Sequence, residues 1–516
     1  MMAPAPRHSA ARLSELLDTF AVIDGAKDVE VSGVSTDSRQ VVPGTVFFAR
    51  RGLTQDAAHF IGDAVGAGAV AIVRQGDSRV GVGEADVLEI FVQDLDACAG
   101  EAAHRFYGRP SEVMRVIGIT GTNGKTSVSH FIAHGLSVGG PSASAPVGVI
   151  GTLGYGTLSK LDPGLLTTPD VVHLHRLLAD LRAQGADHAV VEVSSHALSQ
   201  GRVEGVRFDT AVFTNLSRDH LDFHRDMGSY AAAKARLFDA RDLRHAVVNL
   251  DDKFGRDLLS SIPGGVGVTA YTMESEATLT AKRQPENMLR GKVERVGPEG
   301  IHLAVESAQE KGKLSVPLLG RFNAHNLLAA LGVLIEQGIG FERALEVLRD
   351  LPSVPGRMQR FGHGSGEPLI VVDYAHTPGA LEAALCALRE HCNGRLWCVF
   401  GCGGDRDEGK RPHMGAVAES LADLIVLTDD NPRNEDGGAV IKGIVEGLQQ
   451  AKAQSGRLFV ERDRAAAIRY AIQSAGENDI VLVAGKGHET YQESLGVRRP
   501  FSDAAAVRAA LEARRS

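Results

Sequence analysis

Val116-Ile-Gly-Ile-Thr-Gly-Thr-Asn-Gly-Lys-Thr-Ser-Val128 is the stretch that decides the fold of this 516-residue chain. Its apolar start predicts a buried strand, its glycines a turn, and residues 127–136 the following helix. Backbone N–H groups of such a turn surround an anion, while Lys125 adds a positive charge and the Thr126 hydroxyl can ligate Mg²⁺. The strict phosphate-loop pattern requires glycine where this chain has Ile119. The remaining Gly124-Lys-Thr ending still predicts a nucleotide site, with an ordinary glycine-rich turn as the alternative.

Composition narrows the class of protein. The chain has 55 Lys and Arg against 64 Asp and Glu, a net charge of −9, which disfavours a broad nucleic-acid surface. Its five cysteines lack C-x-x-C spacing, so neither a disulfide framework nor a zinc site is indicated. No signal peptide or membrane-spanning apolar run is evident, which predicts a cytoplasmic protein without membrane insertion. The length predicts about three domains.

Polar residues follow several predicted strands in the middle of the chain. Residues 189–192 form an apolar strand that ends in Glu192, and the strand at 210–214 runs into the polar segment 215–224. Ligands collect at the carboxyl ends of parallel strands, so we expect Glu192 to bind a metal beside the phosphates. Lys234 lies in a strongly helical segment, and helix propensity alone predicts a solvated lysine.

The flanking segments predict further α/β structure. Residues 10–20 predict an amphipathic helix, and the polar turn at 35–39 suits a diphosphate or uracil edge, or is simply a turn. Residues 264–318 predict a β-rich insertion, and the asparagines of 320–331 either read an adenine edge or cap a helix. Beyond a boundary at 354–357, four strands with polar ends predict a second doubly wound α/β domain.

These motifs together resemble the Mur ligases of peptidoglycan precursor synthesis, over nearly the whole chain. The segments that carry the resemblance are Gly121–Thr126, Thr167–Pro169, Glu192–His196, Asn215–His220, Gly320–Asn326, Tyr374–Pro378, Gly404–Arg406 and Gly485–Glu489. It implies an α/β protein of three domains. These are a small N-terminal α/β domain that holds a uridine nucleotide (1–110), a central P-loop-type ATP-binding domain (111–353), and a C-terminal Rossmann-like domain that binds an amino acid (354–516).

The resemblance also implies a reaction. ATP phosphorylates the D-glutamyl carboxylate of UDP-N-acetylmuramoyl-L-alanyl-D-glutamate, and the amine of meso-diaminopimelate then displaces phosphate from the acyl phosphate. Such a ligase works on small molecules with ATP and Mg²⁺, as a cytoplasmic monomer without a nucleic-acid partner. Charge neutralisation and alignment are what phosphoryl transfer between anions needs most.

Residue roles carry over by position. The resemblance implies Mg²⁺ ligands at Thr126, Glu192, His220 and Lys234, the last as a carbamylated lysine. It implies catalytic roles for Lys125, Lys234, His220 and Arg357. It implies ATP contacts at Gly121, Thr122, Asn123, Gly124, Lys125, Thr126, Ser127, Asn326, Asp373 and His376. It implies contacts to the nucleotide substrate at Thr36, Ser38, Thr167, Thr168, Ser194, Gln200 and Arg202.

The choice of amino acid is implied by Asp430-Asn431-Pro432-Arg433, which members that add diaminopimelate carry. The Arg433 guanidinium would pair bidentately with the distal carboxylate, and lysine-adding relatives generally lack this arginine. The implied diaminopimelate contacts are Arg406, Asp430, Asn431, Pro432, Arg433, Gly485 and Glu489, with Glu489 suited to the distal ammonium. Leu166 and Thr36 depart from the family pattern, which affects substrate contacts and not the reaction.

Three alternatives remain. The same ligation could use L-lysine. Folylpolyglutamate synthetases share the ATP loop, but lack the uridine-binding part and the Asp-Asn-Pro-Arg motif. A nucleotide-switched binding protein would hydrolyse ATP without regard to any amino acid, and it would need no second substrate pocket.

Overall fold

The computed structural model describes residues 10–52, 56–83, 86–140, 145–274, 283–364, 366–449 and 456–515. The chain divides into two compact units, one of residues 1–290 and 328–344 and the other of residues 291–327 and 345–516. The α/β fold class is confirmed, while the domain boundaries near 110 and 353 stay a prediction. Residues 141–144 of the loop after the first central helix and residues 275–282 of the predicted insertion lie outside the described residues. In the described segments, no helix has the length and apolar character needed to cross a bilayer.

The first unit begins with a five-stranded sheet of order β3-β4-β5-β7-β6, parallel except for the last pair. Its elements are β1 Ala11–Arg12, α1 Leu13–Leu16, β2 Glu30–Val31, β3 Gly33–Ser35, β4 Thr45–Phe48, α2 Ile61–Gly66, β5 Ala69–Gln75, β6 Arg79–Val82, β7 Leu88–Val92, α3 Leu95–Phe106 and α4 Pro110–Val113. The predicted helix over 10–20 is wrong in length, because only α1 forms. Asp28 binds the Ser14 backbone and hydroxyl there, and Thr19 has a positive φ of 76°.

The same unit contains the sheet that carries the phosphate loop, in the order β11-β10-β9-β12-β8-β13-β14-β15, with the first residues of β16 beyond β15. Its strands are β8 Arg115–Thr120, β9 Val147–Gly151, β10 Gly154–Thr157, β11 Lys160–Asp162, β12 His188–Glu192, β13 Phe208–Phe213, β14 His245–Asn249, β15 Gly267–Thr272 and β16 Asn287–Gly297. Its helices are α5 Lys125–Gly139, α6 Val171–Ala183, α7 Ser195–Ser199, α8 Leu221–His224, α9 Met227–Ala235 and α10 Lys253–Ser261.

The central strands are apolar along their length because both faces of this sheet are covered. Val116, Val191 and Phe213 share one buried core cluster although they lie on three strands. Strand β8 pairs in parallel with both β12 and β13. The carboxyl ends of these three strands therefore meet at one edge, where the predicted polar groups lie.

The second unit contains the rest of β16, the β17–β18 hairpin and a six-stranded sheet of order β19-β20-β24-β21-β22-β23. Its strands are β17 Gly300–Glu306, β18 Lys311–Val316, β19 Gln359–Gly362, β20 Leu369–Asp373, β21 Leu396–Phe400, β22 Leu424–Leu427, β23 Leu458–Val460, β24 Ile480–Ala484, β25 Tyr491–Ser494 and β26 Val497–Pro500. The later helices of the chain are α11 Phe322–Glu336, α12 Phe341–Arg349, α13 Pro378–Arg389, α14 Lys410–Leu421, α15 Gly437–Glu446, α16 Arg464–Ser474 and α17 Asp503–Arg515.

The six-stranded sheet is buried on both faces, as predicted for a doubly wound domain. Leu369 and Val371 belong to one core cluster, and Ile370 and Val372 to the other. Strand β24 lies between β20 and β21 and pairs with both in parallel. After β23 the chain returns to the middle of the sheet to form β24, so the strand order changes direction here. Ligands of α/β proteins bind at such a topological switch point.

Candidate active site

The phosphate loop follows β8 as predicted. Gly121 (φ +151°) and Gly124 (φ +87°) adopt backbone conformations that favour glycine, and α5 begins at Lys125. A Cβ at position 121 would lie 1.9 Å from Thr214 Oγ1. The Lys125 ammonium donates to the carbonyl oxygens of Gly121 at 2.8 Å and Thr122 at 3.0 Å. An ammonium folded over the N-terminus of a 15-residue helix suits an anionic phosphate group.

The two residues that follow β13, Thr214 and Asn215, hold this loop by hydrogen bonds. The Asn215 carbonyl accepts from Thr122 N at 2.8 Å, and its side-chain Oδ1 accepts from Asn123 N at 3.0 Å. Thr214 Oγ1 donates to the Asn123 carbonyl at 2.6 Å. The loop is therefore fixed from outside, which preorganises it for a ligand.

Glu192 ends β12 with 1% of its surface exposed. Its Oε2 accepts from Thr126 Oγ1 at 2.9 Å and Thr152 Oγ1 at 3.1 Å, and its Oε1 accepts from Thr152 N at 3.0 Å. Oxygen ligands 2.0–2.1 Å from Mg²⁺ in an octahedron lie about 2.9 Å apart when adjacent. The distance between the Thr126 hydroxyl and the Glu192 carboxylate therefore fits two ligands of one Mg²⁺. Ser127 follows in the first turn of α5.

Lys234 is 1% exposed on α9, so the solvated lysine that helix propensity predicts is wrong. Its ammonium donates to the Gly121 carbonyl at 2.8 Å and lies 4.4 Å from the centre of the Tyr230 ring. Because Lys125 donates to the same oxygen, two ammonium groups share one carbonyl. Burial, and then the positive charge of Lys125, lower the pKa of Lys234 to about 6. The lowered pKa favours the uncharged amine over the ammonium.

A group of histidines surrounds the start of α8. His220 is exposed, has a φ of 53°, and lies 3.5 Å from the Asp219 carboxylate. The His196 ring packs edge-on against His220 at 4.8 Å, and His224 Nε2 shares a hydrogen bond of 2.9 Å with Ser195 Oγ. Burial, then the nearby histidine charges, lower the pKa of His196 to about 4.

No group of three or more His, Cys, Asp or Glu side chains is arranged to hold a metal ion in the described parts of the chain. The predicted magnesium ligands differ in type from such a group, since they include the Thr126 hydroxyl and a modified Lys234. The contribution of His220 to this set stays a prediction.

The predicted contacts to the nucleotide substrate form a connected network beside Glu192. Thr168 Oγ1 donates to the Glu192 carbonyl at 2.7 Å and accepts from Ser194 N at 3.1 Å. Arg202 Nη1 donates to the Thr168 carbonyl at 3.1 Å, and its Nε donates to Gln200 Oε1 at 2.9 Å. Thr167 lies one residue away and contacts Thr152 by a hydroxyl pair at 3.1 Å.

The N-terminal sheet reaches this network through an arginine. Arg50 donates to the Gln200 carbonyl at 2.5 Å and to Asp96 Oδ1 at 2.7 Å. Thr36 and Ser38 are half-buried in the turn after β3, where Ser38 opens a short 3-10 helix. Their contacts to a substrate stay a prediction.

In the second unit, three of the predicted ATP-facing residues lie around the end of β20. The Asp373 carboxylate accepts from the backbone N–H groups of Met358 at 2.8 Å and Ala375 at 2.9 Å, although burial raises the pKa of Asp373. The Arg357 guanidinium lies 5.2 Å from the Tyr374 ring centre. His376 lies two residues after Tyr374 and donates from Nδ1 to its carbonyl at 2.8 Å.

Asn326 lies in the first turns of α11 and is 5% exposed. Its amide donates to Asn323 Oδ1 at 2.8 Å, and Asn323 donates in turn to the Leu319 carbonyl at 2.8 Å. These two asparagines stabilise the start of the helix. A contact from Asn326 to adenine stays a prediction.

The predicted amino-acid pocket lies at the ends of β21, β22 and β24. Arg433 has a φ of 52° and donates from Nη1 to the Gly404 carbonyl at 2.6 Å. Asn431 Nδ2 donates to Glu489 Oε2 at 2.9 Å. A Cβ at Gly403 would lie 2.8 Å from Arg433 Nη1 and 3.8 Å from Arg406 Cγ, so the two arginines flank this glycine. A guanidinium and a carboxylate thus face one loop cluster.

Three further predicted residues lie beside these side chains. Gly485 has a φ of +115°, and a Cβ there would lie 2.5 Å from Asp430 Oδ2. Burial raises the pKa of Asp430. Pro432 places its carbonyl 1.9 Å from a Cβ at Gly404, so these glycines permit the close approach of backbone and carboxylate.

Family comparison agrees with this arrangement. Residues 30–107 match the Mur ligase family catalytic domain, residues 119–334 the Mur ligase middle domain, and residues 356–487 the Mur ligase glutamate ligase domain. The chain belongs to the Mur ligase family. Mur ligases are ATP-dependent ligases, and this Mur ligase is therefore an enzyme of that class.

Individual relatives match this Mur ligase over almost its full length. The UDP-N-acetylmuramoyl-L-alanyl-D-glutamate--2,6-diaminopimelate ligase of Xanthomonas campestris pv. campestris (strain 8004) is 47% identical, covering 97% of both chains. The protein of the same name from Alkalilimnicola ehrlichii is 45% identical, covering 97% of this chain and 98% of the relative. A solved structure of that name matches with a TM-score of 0.73 and 36% identity, covering 98% of this chain and all of the other.

Sequence reasoning missed three functional candidates in this Mur ligase. Thr152 gives Glu192 two hydrogen bonds, Asn215 clamps the phosphate loop, and Lys486 contacts Glu489 at 2.8 Å. Lys486 carried a usable signal, because it is a charged residue directly after a buried strand and a glycine. Thr152 carried none, since a threonine in a turn is ordinary.

Proposed function

We propose that this Mur ligase joins meso-diaminopimelate to the D-glutamyl carboxylate of UDP-N-acetylmuramoyl-L-alanyl-D-glutamate, with conversion of ATP to ADP and phosphate. The observation that carries the proposal is that a guanidinium and a carboxylate lie in the same group of loops. Arg433 is hydrogen-bonded to the Gly404 carbonyl, and Glu489 is hydrogen-bonded to Asn431. The distal end of diaminopimelate carries both a carboxylate and an ammonium, which these two side chains complement. Relatives of that name, 45–47% identical, support the same substrate.

The first step transfers a phosphoryl group to a carboxylate. The Lys125 ammonium and the N-terminus of α5 bind the terminal phosphates of ATP and neutralise their charge. Thr168, Ser194, Gln200 and Arg202 hold the nucleotide substrate so that its glutamyl carboxylate faces the γ-phosphate. The carboxylate oxygen attacks phosphorus, the bond to ADP breaks, and an acyl phosphate results.

Thr126, Glu192 and His220 would hold Mg²⁺, whose charge would neutralise the negative charge that develops in this transfer. The Lys234 amine is the group that completes this set. In its neutral form it adds CO₂ and releases one proton, which gives a carbamate with anionic oxygens. Burial beside Lys125 supports this chemistry, because an ammonium cannot react with CO₂.

The second step forms the amide. Arg433 binds the distal carboxylate of diaminopimelate, and Glu489 binds its distal ammonium. The free amine at the other end attacks the acyl carbon, and the tetrahedral intermediate expels phosphate. Arg357, Asp373 and His376 are proposed to contact ATP, with Arg357 toward the γ-phosphate.

We propose that the enzyme acts on these small molecules in the cytoplasm as a monomer. Its five cysteines are free, which suits a reducing compartment.

The test is phosphate release by the purified protein with ATP, the dipeptide nucleotide and one amino acid at a time. We expect release with meso-diaminopimelate, and a product heavier by one diaminopimelate residue in mass spectrometry. Release with L-lysine in preference to diaminopimelate would establish the lysine-adding alternative. ATP hydrolysis that ignores every amino acid would support the nucleotide-switched binding protein.

A further inference from the structure

Lys486 is a fully buried lysine, with 0% of its side chain exposed, at the end of β24. Its ammonium donates to Glu489 Oε2 at 2.8 Å and to Asn431 Oδ1 at 3.0 Å, and lies 5.7 Å from the Tyr491 ring centre. A buried charge is costly unless it is paired and hydrogen-bonded. Lys486 meets that condition through hydrogen bonds to two side chains that belong to the proposed amino-acid pocket.

The three side chains close a triangle. Asn431 accepts at Oδ1 from Lys486 and from Glu493 N at 3.0 Å, and it donates from Nδ2 to Glu489 Oε2 at 2.9 Å. Two donors on one side of the amide and an acceptor on the other fix its orientation. Rotating the amide by 180° would turn its NH₂ group toward the Lys486 ammonium, so that rotation is unfavourable.

The backbone beneath the triangle is equally constrained. Glu489 N donates to the Lys486 carbonyl at 3.0 Å, which closes a tight turn. Gly487 within it has a φ of +54°, and a Cβ there would lie 2.8 Å from Tyr374 Cβ. Burial alone would raise the pKa of Glu489, but the Lys486 ammonium and the other donors hold it below its ordinary value. Glu489 therefore presents a fixed, ionised carboxylate.

We propose that Lys486 is a specificity-determining positioning residue, which anchors Glu489 through Oε2 and locks the Asn431 amide, so that Glu489 Oε1 is left to receive the distal ammonium of the diamino acid. Lys486 itself does not contact the substrate. This inference rests on the proposed function, since it concerns how the same pocket recognises its amino acid.

The experiment compares Lys486→Met, Lys486→Arg and the wild type, with Lys442→Met as a control at an exposed lysine on α15. Lys486→Met keeps an unbranched side chain that is one atom shorter, and it removes both hydrogen bonds. We expect its KM for meso-diaminopimelate to rise about 30-fold or more, because a buried charged partner is left unpaired. The KM for ATP and for the dipeptide nucleotide should stay within about two-fold, and Lys486→Arg should recover part of the loss.

A second variant keeps the idea testable if Lys486→Met fails to fold. Asn431→Asp retains the shape and the acceptor for Lys486 but faces Glu489 with a like charge, so we expect it also to raise the KM for diaminopimelate selectively. The inference is overturned if either folded variant has an unchanged KM for diaminopimelate, or if all three substrates lose affinity together. Failure of the wild type to use diaminopimelate would instead refute the proposed function, and it would be seen before any variant is compared.

Discussion

Replacing Lys234 tests the centre of the proposed mechanism. Its ammonium and that of Lys125 both lie 2.8 Å from the Gly121 carbonyl oxygen, and the pKa of Lys234 falls from 10.5 to about 6. At pH 8 about 99% of such side chains are neutral, against about 0.3% for an ordinary lysine. The neutral fraction, which is the form that adds CO₂, is therefore about several hundred-fold larger for Lys234 than for a surface lysine.

We expect Lys234→Arg to lower kcat by roughly 10²-fold or more, because arginine introduces a permanent positive charge and forms no carbamate. Lys234→Ala should be equally inactive and should regain partial activity with a short-chain carboxylic acid, which supplies an anionic oxygen. The assay is phosphate release with all three substrates. Lys253→Ala, at an exposed lysine that begins α10, is the control and should behave as the wild type.

A direct readout is the ¹³C NMR signal of a protein-bound carbamate after incubation with labelled bicarbonate. The wild type should show this signal, and Lys234→Arg should lack it. Because protonation competes with CO₂, the signal should fall as the pH drops below about 6. Full activity of Lys234→Arg would refute the assignment, and so would a carbamate signal that survives the substitution.

Three further predictions concern other parts of the chain. Arg433→Ala should raise the KM for diaminopimelate about 30-fold or more and leave the KM for ATP nearly unchanged. Arg469→Ala, at an exposed arginine on α16, is the control, and an unchanged KM for diaminopimelate in Arg433→Ala would remove Arg433 from the pocket. Gly121→Ala should weaken ATP binding and lower the unfolding free energy by more than about 1 kcal/mol, because the added Cβ would lie 1.9 Å from Thr214 Oγ1. Gly264→Ala is the control, since a Cβ there meets nothing within 4 Å, and equal urea midpoints for the two variants would contradict the prediction. Burial lowers the pKa of His175 to about 4, so the unfolding free energy of the wild type should be constant above pH 6.5 and fall by about 2 kcal/mol at pH 5, whereas that of His175→Gln should not show this fall. Urea melts at pH 7 and pH 5 in which both proteins lose the same unfolding free energy would refute this prediction.

Much of the fold was predictable because buried strands are apolar along their whole length. The ends of β8, β12, β20 and β24 could be located from the sequence, since polar residues or glycines begin where the apolar runs end. The predicted helix over 10–20 was too long because Ala11 and Arg12 pair as a strand with β2, which is distant in sequence, and Thr19 has a positive φ of 76°. Local pattern contains no information about such contacts.

The candidate site, like the fold, could be predicted from the sequence only in part. The Thr126–Glu192 contact was predictable, because both residues follow strands that a parallel sheet brings together. The burial of Lys234 was not, since a helix of alanines around a lysine has the same sequence whether it faces solvent or the phosphate loop. Only the packing of α9 against that loop distinguishes the two.

The two buried lysines differ in chemistry because their neighbours differ. Lys234 is 1% exposed and Lys486 0%, so desolvation acts on both. Lys234 shares a neutral carbonyl with a second ammonium, and no carboxylate is within hydrogen-bonding distance of its Nζ in the described residues; losing its proton relieves repulsion. Lys486 instead faces the Glu489 carboxylate at 2.8 Å, so its charge is paired with an opposite charge. Burial alone therefore does not determine what a lysine does. In the first unit a neighbouring ammonium lowers the pKa of the buried lysine, and in the second a neighbouring carboxylate pairs with it.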